Sequence, residues 1–298
     1  MSTVALVGFG RWGRLIFRDL RSLEADVVVV APSEERRRQA LQDGAAAVVG
    51  EVDDLPEVDG AVVATPTATH AEVTEQILGT IDGPIYVEKP LTCDVEDARR
   101  ILGRAADRVF VMDKWRYHGG IEALRDLTRS GRLGAVTSLR STRVQWGHPH
   151  RDVDGTWVLM PHDLAVTREI LGRIPAPTSA WGRVDGRDAD LVAVLGESPW
   201  ARIDVSTRVP FHRREVVVTF EEGAAWLADS HDDRIVLRPT KGELEEVAVP
   251  TEMPLLLELQ AFAQHLDGGP PPKSSAAEGA ETVEVIAACR RLAGIDRP

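Results

Sequence analysis

Gly8-Phe9-Gly10-Arg11-Trp12-Gly13 repeats glycine at the spacing G-x-G-x-x-G, directly after an apolar run and directly before a helical pattern. That context suits a cradle for the pyrophosphate of a dinucleotide. Gly8 permits a tight turn, Gly10 lets a phosphate reach the backbone, and Gly13 lets helix and strand close on each other. The helix N-terminus then offers N–H groups and a positive partial charge to the anion. After the second apolar run the chain reads Val30-Ala31-Pro32-Ser33-Glu34-Glu35-Arg36-Arg37. No carboxylate stands at the strand end to take a ribose 2′-hydroxyl, whereas Ser33, Arg36 and Arg37 have the chemistry for a 2′-phosphate. NADP(H) is therefore expected in preference to NAD(H); the alternative leaves the arginines as a solvated helix face and gives the ribose to Glu34.

Further along, Arg143 and Gln145 share one side of an extended stretch, with Val144 and Trp146 on the other. An arginine there suits a phosphate or carboxylate on a substrate. His148, His150, Asp152 and Asp154 crowd a Gly/Pro loop without a metal-ligand spacing, so no metal is expected. The two cysteines, Cys93 and Cys289, form neither a disulfide framework nor a Cys-x-x-Cys site and read as free thiols.

These residues need elements to hold them. Apolar runs recur at Val4–Val7, Val27–Val30, Ala46–Val49, Ala61–Ala64, Ile85–Val87 and Val109–Met112. They lack polar alternation, as strands buried on both faces do. Helical patterns lie between them: Ile16, Leu20 and Leu23 on one stripe, then His70–Leu78, and Val95–Ala106 with Asp94 as its N-cap. After about residue 113 the pattern changes. A helix at Ile121–Thr128 precedes a long strand, Val136–Trp146, and a helix is expected at His162–Leu171, closed by Gly172. Short strands then follow between turns at Asp185-Gly186, Glu222-Gly223 and Lys241-Gly242, and the last two helices carry the stripes Leu255/Leu259/Phe262/Leu266 and Val283/Ile286/Ala287. The expected architecture is an α/β Rossmann domain with a doubly wound parallel sheet over residues 1–116. A C-terminal α+β domain with a mostly antiparallel open sheet is expected over 117–298. In such an arrangement the ligand site is expected in the cleft between domains, near the carboxyl ends of the parallel strands.

Composition narrows the function. A net charge of −12 disfavours non-specific nucleic-acid binding, and 43% hydrophobic residues suffice for a sizeable core. No window reaches the run of apolar residues a membrane span needs, and no signal segment is evident, so a cytoplasmic protein with a small-molecule substrate is expected.

Three more segments, read with the glycine turn, carry a family resemblance: Val62-Val63-Ala64-Thr65-Pro66-Thr67-Ala68-Thr69-His70, Glu88-Lys89-Pro90, and Met160-Pro161-His162-Asp163. Arg116-Tyr117, Ser130–Gly134 and Glu258–Phe262 fill the gaps in order. The chain resembles the glucose–fructose oxidoreductase/inositol dehydrogenase (Gfo/Idh/MocA) family along essentially its whole length. The resemblance implies a nicotinamide-dependent oxidoreductase of sugars, nucleotide sugars or cyclitols. Thr65, Pro66, Thr67, His70 and Glu88 would lie by the cofactor, and Lys89 and His162 would be the catalytic residues beside the nicotinamide. Arg116, Arg143, Trp157 and Asp163 are further candidates for the substrate. It also implies a homo-oligomer, a dimer or tetramer, formed through the C-terminal sheet. The chain departs from the family's pattern at Val158 and Ala165, where many members carry Asp. A tetrapyrrole or imine reductase and a non-catalytic cofactor-binding sensor are the alternatives.

Overall fold

The computed structural model describes residues 2–295. Contacts divide them into two units: residues up to Asp113 together with Leu255–Val283, and Lys114–Pro254 together with residues from Glu284 onward.

The first unit is built on six parallel strands: β1 (Thr3–Val7), β2 (Asp26–Val30), β3 (Ala47–Val49), β4 (Gly60–Val63), β5 (Ile85–Glu88) and β6 (Val109–Met112). Their order, β3-β2-β1-β4-β5-β6, reverses direction of growth between β1 and β4, which is where a doubly wound sheet opens its binding crevice. Val4, Leu6, Val27, Val29, Ala61–Val63 and Ile85–Val87 are all fully or almost fully buried, which explains the absence of polar alternation in these runs. The crossovers are α1 (Arg11–Ser22), α2 (Glu34–Gln42), α3 (His70–Thr80) and α4 (Val95–Ala105). Asp94 caps α4 as expected, accepting from the backbone N–H of Glu96 and Asp97.

One departure from the expected boundary concerns the C-terminal segment. The stripe of α7 (Pro254–Leu266) joins the first unit's core: Leu255, Leu259 and Phe262 cluster with Val4, Leu6 and Tyr86, and Phe262 stacks on Tyr86 at 5.0 Å. A span of 117–298 assigned this segment to the second domain. Tyr86 and Phe262 are 176 residues apart in the chain, and buried aromatic area draws them together regardless of that distance.

The second unit contains α5 (Gly119–Ser130), β7 (Val136–Trp146), α6 (Gly155–Leu171), and β8 (Pro177–Asp185), β9 (Asp188–Leu195), β10 (Trp200–Ser206), β11 (Arg208–Phe220), β12 (Gly223–Leu227), β13 (Arg234–Pro239) and β14 (Glu245–Ala248). The eight strands run β14-β13-β12-β11-β7-β10-β9-β8, antiparallel except for the parallel pair β7–β10. The final helix is α8 (Ala276–Leu292).

Helix α6 starts seven residues before the expected His162. Asp154 caps it, accepting from Thr156 N–H at 2.9 Å, and Gly172 closes it in the left-handed conformation. Pro161 lies inside this helix rather than at its first turn. It removes one i→i−4 hydrogen bond, yet the helix continues because residues 155–161 are buried on all sides. Packing there outweighs propensity.

Candidate active site

In the first unit the glycine turn has the geometry its spacing predicts. Gly8 sits at φ +105, and its N–H donates to Val30 O at 3.0 Å. A Cβ on Gly13 would stand 2.1 Å from Gly8 O, so glycine is required for helix and strand to meet. A Cβ on Gly10 would meet nothing within 4 Å. Gly10 is the N-cap of α1; no side chain caps the helix and no acid lies in its first turn. An open backbone position at an uncapped helix N-terminus fits a pyrophosphate. Phe9 is a core residue, edge-on to Phe17 at 5.4 Å, so only its backbone is at the turn's surface; Arg11 is exposed.

At the end of β2, Ser33 caps α2 by accepting from Arg36 N–H at 3.4 Å. Arg36 is exposed. Arg37 is committed in part to the backbone, its Nη1 donating at 2.7 Å to both Ala31 O and Pro32 O.

The ends of β4 and β5 form a connected set. The imidazole of His70, almost fully buried, places Nδ1 2.8 Å from Pro90 O and Nε2 3.1 Å from Thr65 O. Thr65 is also bonded by Thr69, 3.0 Å between hydroxyls, while Pro66 is exposed and Thr67 buried in a short 3-10 turn. Buried Glu88 receives the indole N–H of Trp12 and, at 3.1 Å, the backbone N–H of Lys89. The Lys89–Pro90 peptide is cis. The backbone is thus held on both sides of Lys89, by Glu88 before it and by His70 after it, while the Lys89 side chain is half-buried.

In the second unit the centre is Trp115. Its ring stacks with His118 at 5.0 Å and 10°, carries the Arg143 guanidinium 4.2 Å from its centroid, and lies 6.4 Å from the His162 ring. Arg143 Nε donates to Asp163 Oδ2 at 2.9 Å, and Ser141 donates to the other oxygen at 2.6 Å; all three residues are buried. The structure therefore gives Asp163 a place in the middle of α6 rather than at a helix N-terminus, and pairs it with Arg143. His118 accepts Gly120 N–H at Nδ1 (3.1 Å), so its Nε2–H donates to Ser230 O (3.0 Å). Burial, with Arg143 nearby, lowers its pKa below the ordinary histidine value.

Two candidates lie outside this cluster's bonds. Arg116 donates to Glu169 at 2.9 Å, a buried carboxylate that Arg125 also bonds at 2.6 Å. Trp157 lies under the guanidinium of Arg290, 5.5 Å away, and Arg290 also bonds Asp154. Of the loop histidines, His148 faces Arg187 O. Sequence reasoning missed His118, Ser141 and Arg214. His118 had one local signal, a side chain able to cap a helix opening on Gly119-Gly120; Ser141 depends on how α6 packs over β7, and Arg214 on strand pairing.

The fold and the glycine turn define a protein with a dinucleotide-binding Rossmann domain. Residues 2–112 match the model of an oxidoreductase family with an NAD-binding Rossmann fold. Over those residues the chain is similar to the Gfo/Idh/MocA family. It is 28% identical over 179 residues to the UDP-N-acetylglucosamine 3-dehydrogenase of Acidithiobacillus ferrooxidans (59% of this chain, 56% of that one). The solved structure of that enzyme superposes with a TM-score of 0.83 at 23% identity, covering 98% of this chain and 97% of the other. The chain is 30% identical over 206 residues to inositol 2-dehydrogenase 2 of Mycolicibacterium vanbaalenii (62% of this chain, 59% of that one). A levoglucosan dehydrogenase solved with NADH has the same fold, with a TM-score of 0.86 at 14% identity over 98% of this chain and 97% of the other. In sequence the chain spans less than two thirds of the two curated relatives.

Proposed function

We propose that this chain is a nicotinamide-dependent oxidoreductase interconverting a secondary alcohol and a ketone on a sugar, nucleotide sugar or cyclitol. The observation that carries the reading is the glycine turn, with Gly10 open at an uncapped helix end and Gly13 closed against Gly8. The relatives named for UDP-N-acetylglucosamine and inositol supply the substrate range. The turn residues Gly8–Gly13 and the β4 end at Thr65–Thr67 would hold the dinucleotide. A bound nicotinamide would accept or supply the hydride at the substrate's carbinol carbon. Lys89 takes the hydroxyl proton on oxidation and returns it on reduction, with its backbone fixed by Glu88 and His70. His162, in the second unit, is the other catalytic candidate on this reading, a group able to position a hydroxyl. Within the second unit, Arg143 and Asp163, bonded to each other, hold Trp115 against α6.

Lys89→Met tests this assignment. Turnover should be lost while cofactor binding, followed by fluorescence titration, survives; a fully active variant refutes it.

The cofactor is NADP(H) in preference to NAD(H) on this reading, since Ser33 and exposed Arg36 follow a strand end without a carboxylate. Titration with both in one buffer decides it, and NAD binding as tight as NADP overturns the preference. The open side of the eight-stranded sheet leaves Trp146 and Trp181 exposed, 75% and 62%, which supports a homo-oligomer through that sheet. Light scattering of the purified chain tests it, and a monomer at micromolar concentration refutes it. Among the described residues no helix is long and apolar enough to cross a membrane. With two free cysteines, this supports a cytoplasmic setting; localisation of a tagged chain tests it, and secretion overturns it.

A further inference from the structure

Arg143 on β7 and Arg214 on β11 face each other directly in the antiparallel register. Directly opposed like charges destabilise a sheet, so each cation needs a partner. Arg143 has Asp163 and the ring of Trp115. Arg214 makes no ion pair among the described residues. Its Nη2 donates to the Oε1 of Gln145, a neutral amide, and its Nη1 is buried with no hydrogen-bond partner. Gln145 is itself oriented, its Nε2 donating to Gly147 O at 2.6 Å, so the plane of the Arg214 fork is fixed. Asp163 and Asp229 attract Arg214 only from a distance: Asp163 is held by Ser141 and Arg143, and Asp229 accepts the backbone N–H of His231.

We infer that Arg214, oriented by Gln145 and set opposite Arg143, is an oxyanion-recognition residue that binds a carboxylate or phosphoryl group carried by the substrate. The missing partner of Nη1 is the observation that calls for a ligand, because a buried unsatisfied donor on a cation is costly. Burial and the neighbouring Arg143 together push the Arg214 pKa down to about 10, consistent with a cation short of a counter-charge. Just before Arg214 the strand bulges. Arg208 pairs with Trp146 and Arg213 with Val144, so Val209–His212 stand opposite the single residue Gln145 and break the ladder beside the fork. Substrates of this chemistry are sugar acids, sugar phosphates and nucleotide sugars, whose anion would be recognised apart from the carbon being oxidised. This rests on the reading of the second unit as the substrate domain and narrows that domain's substrate class.

The test is equilibrium binding by calorimetry with two matched pairs: D-glucuronate against D-glucose, and UDP-N-acetylglucosamine against N-acetylglucosamine. In at least one pair the anionic member should bind roughly 10- to 100-fold more tightly, the range expected for a charge-assisted contact. The pair that shows the preference identifies a carboxylate or a phosphoryl source. Arg214→Gln should erase the preference while NADPH affinity and thermal stability stay within experimental spread. Arg214→Lys, which keeps the charge without the fork, should retain a reduced preference and stands in if the glutamine variant does not fold. Equal binding within both pairs, or a preference that survives unchanged in both variants, overturns the inference. The readout is binding rather than turnover. A chain that binds the anion through Arg214 yet oxidises nothing would refute the oxidoreductase reading and leave this subsite standing.

Discussion

The indole N–H of Trp12, in the first turn of α1, donates to the carboxylate of Glu88 at the last position of β5. The same carboxylate accepts the backbone N–H of Lys89. The helix that opens on the glycine turn is therefore coupled, through one buried side chain, to the lysine proposed to carry the proton.

Trp12→Phe keeps the apolar bulk and removes the donor. A buried carboxylate short of one hydrogen bond should cost about 1–3 kcal/mol of stability. Thermal unfolding would register the loss, and turnover should fall further than cofactor affinity as the Lys89 backbone loosens. An unchanged unfolding curve would show that the bond contributes nothing.

Gly10 and Gly13 should respond differently to the same small change. Gly13→Ala drives a methyl into the Gly8 carbonyl and should destabilise the fold by about 1–3 kcal/mol. Gly10→Ala meets open space and should fold with near-normal stability, yet bind dinucleotide at least tenfold more weakly because the methyl occupies the phosphate's approach. Paired melting curves and cofactor titrations check both.

Asp163 is bonded from two sides and 1% exposed, with Arg143 at 4%. Asp163→Ala strands a buried guanidinium and should cost about 3–5 kcal/mol by denaturant unfolding. Were Asp163 chiefly a substrate ligand, the variant would instead stay stable and show a raised KM.

His118 gives the protein a pH dependence with a defined sign. Its folded pKa lies below the ordinary value near 6.5, so on acidification the unfolded chain takes up a proton before the folded one does. Stability from this group is therefore fully present above about pH 6.5 and is lost as pH falls from there toward the folded pKa. His118→Gln should flatten the melting temperature measured between pH 7.5 and 5 relative to the parent. An identical slope in both would assign the acid sensitivity to other groups.

The first unit was legible because its signals are local. Buried parallel strands such as Val27–Val30 are unbroken apolar runs, and the glycine turn spans six residues. The start of α6 was hidden. Trp157–Met160 are buried all round, so no amphipathic period marks them, and Pro161 imitates a helix start. The pairing of Arg143 with Asp163 was equally invisible, because it depends on which turn of α6 lies over which residue of β7. The neighbours of Arg214 required the register of two strands about 70 positions apart, with a bulge between their paired segments. Chemistry set by side-chain type could be read early, whereas chemistry set by packing had to await the fold.

The stacking of Phe262 on Tyr86, and the bridge between Phe110 on β6 and Ser275, bear on biosynthesis. All six parallel strands have been translated by Met112, but the segment that covers Tyr86 and meets β6 follows roughly 140 residues later. At ribosomal speed that is about 10–30 s during which the nascent sheet has a bare edge and an unfilled apolar hollow. The segment Leu255–Val283, with α7 and the start of α8, completes the first unit last, so a growing chain stalled before Leu255 would leave that apolar hollow exposed.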